Sequence, residues 1–173
     1  HYSAQVNWRG ELPFEVGEEI LDKAKSLEDA KEVLSRSRLG SAWAFVVCDY
    51  QARDGFIYEA DSRYHGLRRL SQQPSMSHSN YFRTAACQVG EFSTSERMDS
   101  DNYYRSRRLT ELCEGQRPTA TDVCRFMSDS VDPLLGEEKI LGRTVSQTHN
   151  IQSVVVDGGH RLVYIAAGGT PVH

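Results

Sequence analysis

The hairpin near the end of the chain constrains the fold more than any other feature of this sequence. Two apolar runs rich in β-branched residues, 151–157 and 162–166, lie on either side of Gly158 and Gly159. β-branched residues pack well in strands, and a glycine pair accommodates the tight connection between antiparallel strands. We therefore predict an antiparallel hairpin here, and a fold that contains an antiparallel sheet.

More strands are predicted in the first half of the chain. Residues 42–49 form an apolar, β-branched run, which we interpret as a buried strand with Cys48 as a small core residue. An Asp-Gly pair at 54–55 is typical of a turn, and the runs 56–60 and 65–70 that follow are expected to continue an antiparallel meander.

Two further strands are predicted on weaker patterns. Residues 2–8 alternate apolar and polar side chains, as a strand with one buried face does. Another strand is expected to carry Asn80, after a polar loop at 71–77. The polar stretch 92–102 is rich in Ser, Asp and Glu and is interpreted as a loop.

Four segments have the apolar periodicity of helices. They are residues 14–25, the segment that begins after Ser26 and ends by Gly40, residues 103–112, and residues 123–132. Ser26 is predicted to cap the second of these helices. Because strands, helices and strands follow one another, the sequence predicts an α+β domain with antiparallel sheets and flanking helices.

Length and composition exclude several classes of protein. A chain of 173 residues fits a single domain, 1–173, and a net charge of −4 supplies no basic face for nucleic acid. No run of about eighteen apolar residues is present, so no membrane span is expected. The four cysteines lack the spacing of a zinc site and do not require an oxidising compartment, so we expect a soluble protein without a metal and favour the cytoplasm.

The start of the sequence predicts a longer polypeptide. It opens with His1, Tyr2 and Ser3, without an initiator methionine and without a charged and then apolar signal segment. We therefore expect upstream residues that are not in this sequence.

Asn80 is the first candidate for a functional residue. It lies in a short polar run that ends in two aromatic residues, Tyr81 and Phe82. An asparagine amide can hold a substrate carbonyl or a developing oxyanion at the mouth of a cleft. The structural alternative is an Asx turn, in which the side chain bonds to its own backbone.

Several stretches in succession resemble one family. They are residues 26–34 (Ser-Leu-Glu-Asp-Ala-Lys-Glu-Val-Leu), 42–59 (a strand, an aspartate and a strand ending in glutamate), 77–82, 104–112, 148–157 and the closing 168–171 (Gly-Gly-Thr-Pro). In this order and at these distances the chain resembles the C-terminal half of the isopenicillin-N acyltransferase-like N-terminal-nucleophile hydrolases. The resemblance covers nearly the whole chain.

The resemblance implies a fold and a chemistry. The family's fold is an αββα sandwich, two antiparallel sheets between layers of helices. Its nucleophile is a cysteine that becomes a chain N-terminus by self-cleavage and attacks an amide carbonyl, with its own α-amine as base. Asn80 matches the asparagine that helps to hold the oxyanion, whereas Tyr81 stands where members commonly have histidine. The nucleophile itself would lie upstream, so this chain alone is expected to be inactive.

Three other residues are candidates for substrate binding. Arg105 falls where the family tends to place an arginine, and it could pair with a substrate carboxylate or with a buried acidic side chain; the alternative is a solvated helix face. Ser106 is a candidate for the same pocket. His78 would share a strand face with Asn80, although an ordinary half-buried histidine is the alternative. Cys87 and His78 could also be proposed as a catalytic thiol and its base. Only their residue types support this hypothesis.

These observations give three hypotheses for function. The first is an amide hydrolase or acyltransferase whose partner is a missing N-terminal segment or subunit of the same protein. It would act on a small-molecule amide or acyl substrate, for which an acyl-CoA is a candidate, and would need no cofactor. Without that segment, bare apolar surface would favour a homodimer. The second is a non-catalytic binding or structural domain that keeps the fold. The third is a self-contained enzyme that uses Cys87.

Overall fold

The computed structural model describes residues 3–93, 95–113 and 116–167. These residues form a mixed α+β structure with small antiparallel sheets and helices, which confirms the predicted class. The chain divides into two compact units. The first comprises His1–Gln72 and Asn80–Thr94, and the second comprises Gln73–Ser79 and Ser95–His173.

A three-stranded meander is the centre of the first unit. The elements in chain order are α1 (Pro13–Lys23), α2 (Leu27–Arg36), β1 (Trp43–Asp49), β2 (Asp54–Ala60), β3 (His65–Arg69), a 3₁₀ turn (Leu70–Gln72) and the short α3 (Ala85–Gln88). All strands are antiparallel, with β2 between β1 and β3. The predicted meander is therefore confirmed. The connection between β1 and β2 lies at residues 50–53, just before the Asp-Gly pair, and Arg53 adopts a φ of 52° in it.

The main core lies between helices α1 and α2 and one face of this sheet. Ser26 caps α2 as predicted, because its side chain accepts a hydrogen bond from the backbone N–H of Asp29 at 3.2 Å. The apolar stripe of α2 then packs against side chains of β1 and β2. The buried members of this core are Val16, Leu27, Ala30, Val33, Leu34, Leu39, Phe45, Phe56, Tyr58 and Ala60.

A smaller core is built around residues 80–90. The side chains of Phe82 and Cys87 are fully buried and pack with Ala42 and Tyr64. Near this cluster, Gly66 of β3 lies against Thr84: a Cβ at position 66 would come within 2.4 Å of the Thr84 side chain. The close approach of the chain at residues 66 and 84 therefore requires glycine.

We expect Gly66→Ala to lower the free energy of unfolding by about 1–3 kcal/mol, because an extra methyl group forces Thr84 to move. Gly17→Ala is the opposite case. Nothing lies within 4 Å of a Cβ at position 17, inside α1, so alanine should stabilise the protein by about 0.5–1 kcal/mol. Urea denaturation measures both changes, and equal effects of the two substitutions would contradict the argument.

In the part of the second unit that the structure describes, there are one long helix, one shorter helix and two hairpins. Its elements are α4 (Glu96–Cys113), α5 (Ala120–Met127), β4 (Val131–Asp132), β5 (Glu137–Glu138), β6 (Ser153–Asp157) and β7 (Leu162–Ala166). The predicted hairpin is confirmed as the antiparallel pair β6 and β7. Helix α5 packs against β6 and begins with a capping box, in which Thr119 and Asp122 bond to each other's backbone N–H groups.

Two of the predicted strands are wrong. Within residues 3–8, the only β pairing is an isolated bridge from Ser3 to Glu91. Residues 73–84 contain no strand, so Asn80 lies in a bend. The residues before Asn80 bond to a helix instead: the hydroxyls of Ser75, Ser77 and Ser79 all form hydrogen bonds with α4.

Two other predictions are corrected. The predicted loop at 92–102 ends early, because Ser95 accepts the N–H of Met98 at 3.2 Å and so starts α4 at Glu96. Cys48 is exposed rather than buried, because β1 is an edge strand and Cys48 points to the face opposite the helices. Val46 is on the same face of β1 and is 64% exposed.

Candidate functional site

A buried carboxylate holds the segment that follows Asn80. Glu59, on the central strand β2, is completely buried. Its Oε1 accepts the backbone N–H of Arg83 at 2.8 Å, and its Oε2 accepts those of Arg83 and Thr84 at 3.0 and 2.7 Å. Hydrogen bonds to an ionised acceptor are about twice as strong as neutral ones. The backbone at positions 83 and 84 is therefore tied to the rigid centre of the sheet.

Phe82 adds a second set of contacts to the same segment. Its ring is fully buried, its N–H donates to Glu91 Oε1 at 2.9 Å, and its carbonyl accepts Gln88 Nε2 at 3.0 Å. Three successive backbone N–H groups, at positions 82 to 84, thus donate to carboxylates. Asn80 is exposed just two residues before this fixed stretch. The arrangement presents an amide side chain at the surface from a well-anchored turn.

The neighbour of Asn80 is an aromatic residue with a cationic partner. The Arg83 guanidinium lies 5.8 Å from the centroid of the half-buried Tyr81 ring. This turn therefore carries a pair of an aromatic ring and a cation. Tyr81 and Arg83 lie one and three residues after Asn80.

The other three predicted site residues belong to the second unit. Arg105 and Ser106 are adjacent on α4, and His78 is half-buried between two serines that bond to this helix. Ser106 is completely buried, and its carbonyl accepts the Thr110 hydroxyl at 2.9 Å. This burial suits a structural role better than direct contact with a substrate.

Arg105 is partly buried rather than fully solvated. Its Nη2 donates to Asn102 Oδ1 at 2.6 Å. Burial lowers the pKa of the Arg105 guanidinium, and the nearby Asp101 carboxylate acts in the opposite direction. Its neighbour Arg107 pairs instead with Glu111 on the exposed side of the helix. Arg105 therefore differs from an ordinary surface arginine, and its role in substrate binding stays a prediction.

Cys87 has the environment of a structural thiol. Its side chain is completely buried, and Sγ donates to the backbone carbonyl of Glu59 at 3.3 Å. Burial raises the pKa of the Cys87 thiol to about 11. Because the thiolate is the reactive species, this environment argues against Cys87 as a nucleophile. The four cysteines are all free thiols.

Two concave surfaces lie within the second unit. A groove of about 540 Å³ lies where α5 meets the β6 and β7 hairpin. Its lining includes Cys124, Met127, Val155 and Tyr164. A charged pocket of about 410 Å³ is lined by residues that include Arg97, Asp101, Asp132, Lys139 and Arg143.

An ion pair closes one side of the charged pocket. Arg143 Nη2 lies 2.8 Å from Oδ2 of the buried Asp132, and its Nε is 3.0 Å from both oxygens. The backbone N–H groups of Leu134 and Leu135 also donate to Asp132 Oδ1. Sequence reasoning missed this pair, because eleven residues separate its members and no motif links them.

The ion pair makes stability depend on pH. Hydrogen bonds from Arg143 hold the pKa of Asp132 below its usual value. The carboxylate therefore contributes stability that is complete above its unfolded-state pKa of about 3.9 and is lost as pH falls through the lower folded-state pKa. In urea denaturation at several pH values, Asp132→Asn should flatten the loss of stability below about pH 4. Arg143→Gln should flatten it too, and an unchanged slope in both variants would contradict this assignment.

Residues 3–93, 95–113 and 116–167 contain no group of three or more His, Cys, Asp or Glu side chains arranged to hold a metal ion. In the same part of the chain, no helix has both the length and the apolar character needed to cross a bilayer.

Comparisons with known proteins identify no relative of this chain. No family model, no curated protein and no solved structure matches this chain. The anchored turn that carries Asn80 is therefore the feature on which a functional argument rests.

Proposed function

We propose that this chain is the C-terminal part of an N-terminal-nucleophile amide hydrolase or acyltransferase. The observation that carries the proposal is the exposed Asn80 on a turn whose next residues are fixed by Glu59 and Glu91. Oxyanion stabilisation requires a donor that is held in place before the reaction, and an anchored turn can supply one. The resemblance of the sequence to the isopenicillin-N acyltransferase-like family supplies the reaction class.

In the proposed reaction, a cysteine thiol from an upstream segment attacks the carbonyl carbon of an amide or thioester, such as an acyl-CoA. Its α-amine takes the thiol proton, and the Asn80 amide donates to the oxygen that becomes negatively charged. Collapse of the intermediate transfers that proton from the α-ammonium to the departing amine or thiol and leaves a thioester on the enzyme. Water or an acceptor amine then takes the acyl group.

The β6 and β7 hairpin supports the idea of a further partner segment. Val154 pairs with Ile165 and Val156 with Val163, so these four side chains share one face, and each is 47–69% exposed. Helix α5 packs against the same hairpin through β6. A sheet with a helix on one side and a bare apolar face on the other fits one half of an αββα sandwich. We propose that upstream sequence of the same protein covers this face.

Intact-mass spectrometry of the full-length gene product, under denaturing conditions, tests the proposal. We expect either two fragments, one near 19.5 kDa, or a single longer chain whose first residue is a processed cysteine. Iodoacetamide should label that cysteine and abolish hydrolysis of a panel of acyl 4-nitroanilides. A single chain that starts at or just before His1 would remove the nucleophile and leave a non-catalytic binding domain as the better hypothesis.

A further inference from the structure

The bend that contains Asn80 cannot by itself hold the Asn80 side chain in a fixed position. It lies in a bend outside any helix or strand. A catalytic donor must be held to within about 0.5 Å of its productive position, and segments without regular structure seldom reach this precision unaided. Some other group must therefore fix the turn.

Glu59 has the geometry for this task. It lies on β2, between two hydrogen-bonded neighbours, and both of its carboxylate oxygens point at backbone N–H groups of the turn. Burying a carboxylate is costly unless hydrogen bonds or a nearby cation offset the cost. Arg68, on the adjacent strand β3, supplies such a cation: burial lowers its pKa, and the Glu59 carboxylate opposes this shift.

Asp61 shows that not every buried carboxylate here faces the turn. It lies just after β2 and is 5% exposed. Its Oδ1 accepts the backbone N–H groups of Arg63 and Tyr64 at 2.8 and 2.7 Å, and its Oδ2 accepts the Ser3 hydroxyl at 2.7 Å. Asp61 therefore resembles Glu59 in burial and in the kind of bonds it accepts, but it binds a different loop.

We propose that Glu59 is the positioning residue of the active site, and that it acts through Asn80 by clamping the backbone of Arg83 and Thr84. This inference rests on the proposed function. The inference goes beyond the proposed function, because it assigns a role to a side chain that is completely buried and touches no substrate. A single charged residue within the otherwise uncharged run 56–60 is the sequence signal that could have drawn attention to it.

A double-mutant cycle in the full-length protein tests the inference. The assay is hydrolysis of the acyl 4-nitroanilide that the unmodified protein cleaves fastest. Glu59→Gln keeps the shape but loses the charge and one acceptor, and it should lower kcat by about 10- to 100-fold with little change in KM. In an Asn80→Ala background, the same substitution should lower kcat less than about twofold, because the positioned group is already absent. Independent losses that multiply in the double variant would overturn the inference.

The controls separate positioning from general destabilisation. Asp61→Asn should lower the melting temperature as Glu59→Gln does, yet leave kcat unchanged. Thr84→Pro is a second route to the same effect: it removes a donor of the clamp at a residue whose φ of −87° is near that of proline. It should also lower kcat, and a normal kcat in a folded Thr84→Pro variant would contradict the clamp.

Amide hydrogen exchange distinguishes failure of this inference from failure of the proposed function. In Glu59→Gln, exchange at the amides of Arg83 and Thr84 should speed up at least tenfold relative to the β2 amides, whether or not the protein is an enzyme. If exchange there stays slow, the clamp is wrong. If exchange speeds up but Asn80→Ala keeps full activity, the clamp is real and the oxyanion role of Asn80 is wrong.

Discussion

Phe82→Ala should lower the free energy of unfolding by about 3–5 kcal/mol. The Phe82 ring is completely buried among Ala42, Tyr64 and Cys87, in a small cluster that has few other large side chains. Alanine would leave a cavity in this cluster and weaken the packing of the turn against the sheet. Urea denaturation monitored by circular dichroism measures the loss, and the slope of the transition shows whether the protein still unfolds in one step.

Phe92→Ala is the matched control for this prediction. Phe92 is the same residue type ten positions away, but it is 54% exposed. Its removal should change the free energy of unfolding by no more than about 0.5 kcal/mol. A loss at Phe82 that is as small as the loss at Phe92 would contradict the packing of the segment 80–90 that the structure describes.

Elements with strong local signals were predictable from the sequence. The β6 and β7 hairpin was found because its runs are β-branched and flank a glycine pair. Helix α2 was found from Ser26 and the apolar stripe behind it. In these elements the local preferences and the tertiary contacts agree, so the pattern alone is sufficient.

Predictions failed where tertiary contacts decide the structure. A strand was predicted around Asn80, but residues 73–84 pair with no strand, and the Ser79 hydroxyl bonds to α4 instead. Cys48 lies in an apolar run, yet an edge position leaves its side chain exposed. Neither the partner of a serine nor the position of a strand in its sheet is encoded locally.

In the candidate site, too, one part could be predicted from the sequence and another part could not. Asn80 could be proposed from residue type and from resemblance, because an asparagine followed by two aromatic residues is visible in the sequence. The Glu59 clamp was not found, since its members are 24 and 25 residues apart and the contacts are to backbone N–H groups. Backbone donors carry no sequence signal, so this part of the site required a structure.

Asn80→Ala in the full-length protein is expected to lower kcat for amide hydrolysis by about 10²–10³-fold. KM should change little, because the amide would contribute mainly once the oxyanion forms. Stopped-flow or steady-state release of 4-nitroaniline measures both constants. The fold should survive, since Asn80 is exposed and the turn is anchored at positions 82 to 84.

Asn80→Asp separates the two roles considered for this residue. An aspartate keeps the acceptor oxygen of an Asx turn but loses the amide donor and places a negative charge beside the developing oxyanion. Activity should therefore fall at least as far as in Asn80→Ala. Asn7→Ala is the control, because Asn7 Oδ1 accepts the N–H of Arg9 at 3.1 Å and so forms an Asx turn. Full activity in Asn80→Asp, with a loss of stability in Asn80→Ala like that in Asn7→Ala, would identify position 80 as a structural turn.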